Sequence, residues 1–334
     1  MRDYSGSWKN KENHYLNAVN SEWYKLLAEL NDLINYETAI FYHEKKIKTM
    51  NLPITTMSIS SPMGLGSDSL PVSVNLFGVR TYLADSMQFM LEYGTRFFEN
   101  GVYYIMPTFR GEKADERHLC QFFHSEAEIS GNLEDIIKLV EDYIHHLAKR
   151  ILEKYHDDII SFAGSVEHIE KLISITKFPE VSFDDAVDIL HADENYVIFH
   201  EEGYRTITSA GEKALIEHFG GIVWLKYFDA VAVPFYQKDH DENHAKNADL
   251  LFGIGEVVGA GERHSDGDST RMALKRRNVD EDEFEWYIKM KDVYPMQTSG
   301  FGMGIERFLL WVLKHDDIRD CQLVPRFNGE IFIP

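Results

Sequence analysis

Apolar residues recur at intervals of three and four in two long segments of the chain, which is the spacing of an amphipathic helix. The first segment covers residues 21–50 and follows a polar, irregular arm over residues 1–20. The second, over residues 132–155, is the clearest helix in the sequence. Its apolar stripe consists of Ile136, Val140, Tyr143, Leu147 and Ile151. The pattern therefore predicts two long helices, each with one face that must pack against another layer.

Other segments alternate apolar and polar residues with the period of two that is typical of strands. Residues 72–85 predict a hairpin that turns at Gly78. Residues 101–112 and 120–130 predict two more strands, joined by a short charged tip. Strands separated by such short connections favour antiparallel pairing.

The second half of the chain continues this mixture of strands and helices. A short strand leads into a helix that Ser182 or Asp184 would cap. Two apolar strands and an acidic helical segment are then predicted, in that order, at residues 222–236, 249–258 and 269–290. The whole pattern predicts an α+β fold with an antiparallel sheet flanked by helices.

The charge of the chain bears on its partners. The 55 acidic and 34 basic residues give a formal charge of −21, and the densest basic run is RMALKRR at residues 271–277. That run is typical of a solvated helix face. A surface this negative repels a phosphate backbone unless basic residues are concentrated in one patch, so nucleic acid is disfavoured as a partner.

Cysteine and histidine usage argues against a metal or disulfide framework. Cys120 and Cys321 are too few for either a disulfide network or a thiolate site, and the 15 histidines lack the spacing of zinc ligands. The N-terminus has no apolar signal-peptide core, and the most apolar window is interrupted by Lys226 and Asp229. The sequence therefore predicts a cytoplasmic protein without a membrane span.

The segment SGFGMGIER, residues 299–307, places glycines at alternate positions before an arginine. The spacing differs from that of the dinucleotide-binding fingerprint. Alternate glycines leave one face of a strand bare, which suits a flat ligand lying against the backbone, and Arg307 could stack on that ligand or meet its phosphates. A glycine-rich bend before a core helix explains the same residues without any ligand.

Two further segments carry candidate chemistry. Arg110 and Glu112 share one face of a strand, and the chain returns through His118 to Phe122, which together offer a phosphate clamp and an aromatic face. An exposed hairpin with ordinary salt bridges is the alternative.

Asp249 and Glu256 lie seven residues apart near opposite ends of what the pattern predicts as one extended run. Paired carboxylates beside phosphates are how proteins hold magnesium. Arg263 follows a predicted turn at residues 259–261, from which it could reach a substrate carboxylate or amide. On so acidic a chain, the two carboxylates are alternatively ordinary surface groups.

These segments together resemble the class II aminoacyl-tRNA synthetases. The pattern is F-R-x-E, then R/H-x-x-x-F, an Asp/Glu pair, and finally G-x-G-x-G-x-x-R. The segments GIGEVVGAGER and RHLCQFF, and SGFGMGIER with the IRD and PR that follow it, are most similar to the aspartyl and asparaginyl branch. The resemblance covers residues 30–334 and implies a class II synthetase-like catalytic domain, preceded by a polar arm and helix start over residues 1–29.

The resemblance implies a site for ATP and Mg²⁺. Arg110 and Arg307 would be catalytic, with Arg110 on the α-phosphate. Phe122 and Arg307 would sandwich the adenine, and Asp249 and Glu256 would hold the magnesium ion. The other ATP-binding residues would be Glu112, Arg117, His118, Gly302 and Gly304.

The resemblance also implies an amino-acid pocket, formed by Ser86, Gln88, Glu92, Glu126 and Arg263. Leu91 stands where aspartate-specific members carry a lysine, and Glu92 stands where asparagine-specific members carry an acid that accepts from the side-chain amide. A buried carboxylate facing a substrate carboxylate is costly. The pocket therefore favours an asparagine-like amide or a cation, unless Glu92 points into solvent.

No counterpart of the family's N-terminal OB-fold anticodon-binding domain is recognisable. We therefore expect a tRNA-independent, AMP-forming ligase that activates asparagine, aspartate or a relative as an acyl-adenylate and passes it to ammonia or a small amine, like asparagine-synthetase paralogues. The alternatives are a truncated asparaginyl-tRNA synthetase and a non-catalytic sensor of amino acids or nucleotides. We also expect a homodimer, with tRNA disfavoured but retained as an alternative partner.

Overall fold

The computed structural model describes residues 6–60, 65–66 and 69–333. Its helices are α1 (His14–Val19), α2 (Glu22–Glu44), α3 (Gln88–Gly94), α4 (Leu133–Ala163), α5 (Glu167–Ser174), α6 (Phe183–Ile189), α7 (Ser209–His218), α8 (Gly267–Arg276), α9 (Glu285–Val293) and α10 (Ile305–Val312). Its strands are β1 (Lys48–Thr49), β2 (Thr55–Thr56), β3 (Val72–Leu76), β4 (Val79–Leu83), β5 (Val102–Phe109), β6 (Gln121–Ser130), β7 (Glu180–Ser182), β8 (Val197–Phe199), β9 (Arg205–Ile207), β10 (Ile222–Lys226), β11 (Asn247–Phe252), β12 (Gly255–Glu262) and β13 (Thr298–Gly304). Single 3-10 turns lie at Ser7–Lys9, Asp282–Phe284 and Ile318–Cys321.

Eight strands form one large sheet in the order β1-β5-β6-β13-β12-β11-β10-β7. The pairings from β5 to β10 are antiparallel, whereas β1 runs parallel to β5 and β7 runs parallel to β10. A smaller sheet has the order β2-β4-β3, and β8 pairs with β9. The predicted α+β architecture with an antiparallel sheet is therefore confirmed.

The two predicted long helices are present, and capping residues determine where they begin. The Asn132 side chain accepts hydrogen bonds from the backbone of Glu134 and Asp135, while the Asp135 carboxylate accepts from the backbone of Asn132. This capping box starts α4, which bends at Tyr155 and ends at Gly164. Helix α2 ends at Glu44, because the next residues turn away into β1.

Helices α2 and α4 pack together and cover one face of the large sheet. Tyr143 and Leu147 of α4 are fully buried in a core that includes Phe41 of α2 and Ala127 of β6. Neighbouring residues on a strand face opposite sides, so Glu126 points to the face that the two helices leave open. The sheet thus separates an apolar core from a polar cavity. None of the described helices combines the length and the apolar character that are needed to cross a membrane.

Three predicted elements differ from the structure. Within the described part of the predicted irregular arm, Ser7–Lys9 forms a 3-10 turn and α1 follows it, and Trp8 packs edge-on against Phe327 at 5.6 Å between ring centroids. The predicted strand at 222–236 ends at Lys226, because Tyr227 adopts a positive φ of 63°. The predicted run at 249–258 is a hairpin, which turns between β11 and β12. The hairpin at Gly78 and the Ser182 cap are confirmed.

Candidate active site

A cavity of about 1640 Å³, including its open mouth, lies over the exposed face of β6, β11, β12 and β13. A smaller adjoining cavity extends it past the hairpin between β5 and β6. Arg110, His118, Glu256 and Arg307 line both cavities. The two cavities are therefore one continuous site. We call the end beside the β5–β6 hairpin the nucleotide end and the end beside Glu126 the amino-acid end, after the ligands that the resemblance implies.

The end nearer the β5–β6 hairpin combines arginines with an aromatic ring. The Arg110 guanidinium lies 5.4 Å from the centre of the Phe122 ring, and its Nε is buried without a hydrogen-bond partner among the described residues. Arg307 donates to the Glu256 backbone oxygen at 2.5 Å. Phe122 and Arg307 line the same smaller cavity, which is the arrangement expected of a stacking site for a flat ring.

The hairpin tip supplies further polar groups. Arg117 Nη2 donates to the Glu212 carboxylate at 2.9 Å, while its Nε and Nη1 are buried without partners in the described part of the chain. Glu112 lines the smaller cavity. His118 lies at the mouth, where its Nδ1 is 2.9 Å from Asp115. Buried N–H groups without partners are costly, so this end is suited to an anionic ligand.

Asp249 and Glu256 converge even though the hairpin places them on different strands. A Cβ added to Gly259 would lie 3.1 Å from Glu256 Oε1 and 3.6 Å from Asp249 Oδ1, so both carboxylates border the same space. Burial and the nearby charge of Glu256 raise the pKa of Asp249 well above its usual range. A cation between them would relieve this repulsion.

The two carboxylates fit a magnesium ion that also binds phosphate. Among the described residues, no three His, Cys, Asp or Glu side chains form a cluster that could hold a metal ion. Mg²⁺ commonly takes one or two carboxylates and completes its shell with water and substrate phosphates. Asp249 and Glu256 are therefore the residues that would hold it, beside the arginines of the nucleotide end.

The other end of the cavity contains a buried carboxylate, Glu126. It accepts hydrogen bonds from Ser86 Oγ at 2.7 Å and from the Tyr104 hydroxyl, and His124 Nδ1 lies 3.0 Å from its second oxygen. Burial raises the pKa of Glu126, but the hydrogen bond and the charge of His124 outweigh it and lower that pKa below its usual range. Gln88 lines the cavity beside Ser86. An ionised carboxylate here is suited to a substrate ammonium group.

Arg263 lies in the same cavity, paired with a second buried carboxylate. Its Nε and Nη2 donate to the two oxygens of Glu128 at 3.0 and 3.1 Å, and its Nη1 donates to Gln237 Oε1 at 3.0 Å. It belongs to the strand pair at the end of β12 and not to a turn, because residues 259–261 continue that strand. The guanidinium charge is therefore balanced within the protein.

Glu92 lies outside this cavity. Its carboxylate accepts hydrogen bonds from Lys291 Nζ at 2.6 Å and from the Tyr287 hydroxyl, and it pairs with Arg96 at 3.3 Å. Burial raises the pKa of Glu92, but Lys291 and Arg96 lower it below its usual range. The carboxylate therefore neither faces the cavity, as the recognition hypothesis requires, nor points into solvent, as the alternative requires.

Comparison with known proteins identifies the family. The family model described as tRNA synthetases class II (D, K and N) matches residues 9–328. The chain belongs to this class II synthetase family.

Relatives within the family are asparagine–tRNA ligases. The ligase of Thermococcus gammatolerans is 30% identical over 262 residues, which is 77% of this chain and 59% of that protein. The ligase of Koribacter versatilis is 31% identical over 277 residues, which is 80% of this chain and 62% of that protein. The chain thus spans about 60% of the length of the curated relatives it matches.

Solved structures of other synthetases share the fold. The asparaginyl-tRNA synthetase from Pyrococcus horikoshii, complexed with asparaginyl-adenylate, matches with a TM-score of 0.86 at 24% identity, covering 96% of this chain and 73% of that one. The Entamoeba histolytica asparaginyl-tRNA synthetase, also complexed with asparaginyl-adenylate, matches with a TM-score of 0.85 at 22% identity, covering 100% and 74%. These matches confirm the class II synthetase fold that the motifs predicted.

The glycine strand of this class II chain serves the cavity in two ways. Gly302 and Gly304 line the smaller cavity, in agreement with their predicted position. A side chain on Gly300 would instead collide with the Glu128 carboxylate, so this glycine makes room for a buried acid of β6. The bare face of the strand therefore leaves room both for the Glu128 carboxylate of the neighbouring strand and for a ligand.

Several polar residues of this class II site did not emerge from the sequence. Glu128 follows Glu126 by two residues on β6, so the strand period alone would place both on one face. Tyr104, Gln237 and Glu212 carry no comparable local signal, because each is brought to the cavity by a separate element. Sequence reasoning thus found the residues of the motifs and missed most of their partners.

Proposed function

We propose that the protein activates asparagine with ATP, forming asparaginyl-adenylate and pyrophosphate. The observation that carries this proposal is the continuous cavity, which joins unpaired arginine N–H groups and an aromatic ring at one end to an ionised Glu126 and a charge-balanced Arg263 at the other. The relatives, which are asparagine–tRNA ligases, support the same substrate.

The proposed reaction is an in-line displacement at phosphorus. A carboxylate oxygen of asparagine attacks the α-phosphorus, the new O–P bond forms, and the bond to the β-phosphate oxygen breaks with its electrons leaving on pyrophosphate. The carboxylate is already the nucleophile, so no general base is needed. Arg110 would stabilise the charge that builds on the α-phosphate, and Glu126 would hold the substrate ammonium group in position. Magnesium held by Asp249 and Glu256 would supply charge neutralisation at the phosphates.

The charge balance at Arg263 favours an amide over a carboxylate. Glu128 neutralises the guanidinium, so the site near Arg263 has no surplus positive charge to attract the side chain of aspartate. Asparagine, by contrast, can both donate to and accept from the paired groups through its amide. We therefore assign side-chain recognition to Arg263, whose charge Glu128 balances, and not to Glu92, where the sequence suggested it.

The acceptor of the asparaginyl group is a separate part of the proposal. The relatives' names favour the 3′ end of a tRNA over the ammonia or small amine that we expected from the sequence. The formal charge of −21 argues in the opposite direction, because it weakens attraction to a polyanion. The tRNA-linked activity is the better supported of the two.

The homodimer implied by the resemblance also stays a proposal. Strand β1 lies at the edge of the large sheet, where an unpaired backbone edge offers a surface for association. Light scattering at several protein concentrations would test it.

Amino-acid-dependent ATP–pyrophosphate exchange, measured with magnesium and without tRNA, tests the activation step. We expect exchange with asparagine and much weaker exchange with aspartate. Exchange with neither amino acid, in a sample whose ATP binding is intact, would contradict the proposal. Charging of tRNA at physiological salt then decides the acceptor: product on tRNA supports the ligase of the relatives, and product only with ammonia or amines supports the original expectation.

A further inference from the structure

The tip of the β5–β6 hairpin extends beyond its strand ladder. The last paired residues are Phe109 and Gln121, followed by a hydrogen bond from the Arg110 N–H to the Cys120 carbonyl at 2.9 Å. Glu112, Arg117 and His118 all lie in the tip beyond that bond. Their positions therefore depend on contacts other than strand pairing.

A residue near the end of the chain supplies three of those contacts, beside the Arg117–Glu212 pair and the hydrogen bond from the Ile318 N–H to the Glu116 carbonyl. Asn328 Nδ2 donates to the Gly111 carbonyl at 3.0 Å, and Asn328 Oδ1 accepts from the Ala114 N–H at 3.1 Å and from the Cys120 thiol. One side chain thus ties together three points of the tip. Asn328 itself lines neither of the two joined cavities, so these bonds hold the tip without occupying the space for a ligand.

The segment that carries Asn328 is also anchored by contacts outside the hairpin. Phe327 packs against Trp8, and the Arg319 guanidinium lies 4.4 Å from the centre of the Trp8 ring. Lys11 pairs with Glu330 at 3.1 Å, so contacts from the N-terminal segment flank Asn328 on both sides. Because its neighbours on both sides are already held in place, Asn328 loses less conformational entropy when it bonds to the tip.

We propose that Asn328 is a positioning residue, which holds the hairpin tip so that Glu112, Arg117 and His118 meet the nucleoside triphosphate. The N-terminal segment around Trp8 supports it through Phe327. The inference rests on the proposed function for the identity of the ligand. The ordering of the tip by Asn328 does not depend on that identity.

Hydrogen exchange on the protein without nucleotide tests the ordering. In Asn328→Ala, amides of residues 111–120 should exchange roughly fivefold faster than in the wild type, because three hydrogen bonds are lost, and those of α4 should not change. Asn35→Ala is the matched control, since Asn35 is exposed and its side chain donates to the Asn31 carbonyl one turn earlier in the same helix. Asn328→Asp keeps the acceptor oxygen, so its exchange rates at residues 111–120 should lie between those of the wild type and those of Asn328→Ala. Unchanged exchange at 111–120 in Asn328→Ala would overturn the proposal.

Calorimetric titration with MgATP tests the consequence for binding. We expect Asn328→Ala to weaken ATP binding about fivefold while the affinity for asparagine stays within twofold, and Trp8→Ala to have a smaller effect in the same direction. Faster exchange with unchanged ATP affinity would show that the tip is ordered without serving the nucleotide, which overturns the positioning role. A wild-type protein that binds no ATP would contradict the proposed function instead, and the exchange data would still decide whether Asn328 orders the tip.

Discussion

The two ends of the cavity differ in how their charges are satisfied. At the amino-acid end, Glu126 receives hydrogen bonds from the protein and Arg263 is paired in a fork with Glu128. At the nucleotide end, Arg110 and Arg117 keep buried N–H groups without partners among the described residues, and Asp249 faces like charges. The cavity therefore has one end whose charged groups are paired within the protein and one end whose charged groups are not.

This difference indicates which substrate stabilises the folded protein more. The paired groups are already oriented, so asparagine would bind to a preorganised pocket with little rearrangement. The unpaired groups raise the free energy of the folded protein until a ligand satisfies them. We therefore expect MgATP to stabilise the protein against unfolding more than asparagine does at the same free ligand concentration.

The largest effect should follow the loss of Arg110. We expect Arg110→Ala to lower asparagine-dependent pyrophosphate exchange about 10³-fold, the scale of removing one preorganised donor from a developing charge. The melting temperature should barely change, because Arg110 Nε already lacks a partner. Arg271→Ala is the control, since Arg271 pairs with Asp292 on the surface. Exchange within tenfold of the wild type would rule out this role.

Asp249→Asn should separate activity from stability. We expect about 10²-fold less exchange, because the proposed magnesium ligand is lost. Burial and the neighbouring acids raise the pKa of Asp249, so its stability contribution is complete below the ordinary pKa of about 4 and is lost as the pH rises.

The variant should therefore be more stable than the wild type, by an amount that grows from pH 4 towards pH 8. Urea unfolding without nucleotide measures this difference. An equal stability difference at both ends of that range would contradict the proposed repulsion.

The sequence predicted the elements whose signals are local. The stripe in α4 and the strand-like runs of β5 and β6 can be recognised within a few residues, and all three elements are present. The β11–β12 hairpin was missed because both of its strands are apolar and only residues 253 and 254 separate them. Periodicity cannot show where so short a turn interrupts an apolar run.

The site was predictable where motifs carry it and not where distant partners do. Arg110, Phe122, Asp249, Glu256 and Arg307 all border the joined cavity. Glu92 was misjudged because its buried partner Lys291 lies 199 residues away in the chain. Nothing in the sequence around Glu92 indicates that a lysine of α9 forms an ion pair with its carboxylate.

Substitution of Glu128 should alter the selectivity of the amino-acid end of the cavity. We expect Glu128→Gln to shift the ratio of exchange with asparagine to exchange with aspartate about tenfold towards aspartate, because Arg263 loses its balancing charge. Burial raises the pKa of Glu128 to about 7, against the opposing charge of Arg263. The wild type should accordingly discriminate less against aspartate as the pH falls below 7.

Glu92→Gln, in contrast to Glu128→Gln, should change stability and leave selectivity unchanged. It leaves Lys291 buried without its charged partner, so we expect the free energy of unfolding to fall by about 3 kcal/mol. Selectivity should remain that of the wild type, because neither Glu92 nor its partners Lys291 and Arg96 line the cavity, whereas Arg263, the partner of Glu128, does. A shift towards aspartate in Glu92→Gln but not in Glu128→Gln would return recognition to Glu92.

The smallest effect tests the link between the nucleotide end and the layer that carries α7. Glu212 of α7 holds one nitrogen of Arg117, and a side chain on Gly255 would collide with that carboxylate. We expect Glu212→Gln to weaken MgATP binding about fivefold, the upper scale for a partly exposed ion pair. In an Arg117→Ala background the same substitution should change binding by less than twofold, since the two side chains act through one contact. Additive losses in this double-mutant cycle would mean that Glu212 acts on Asp249 and Glu256 through its charge, and not through Arg117.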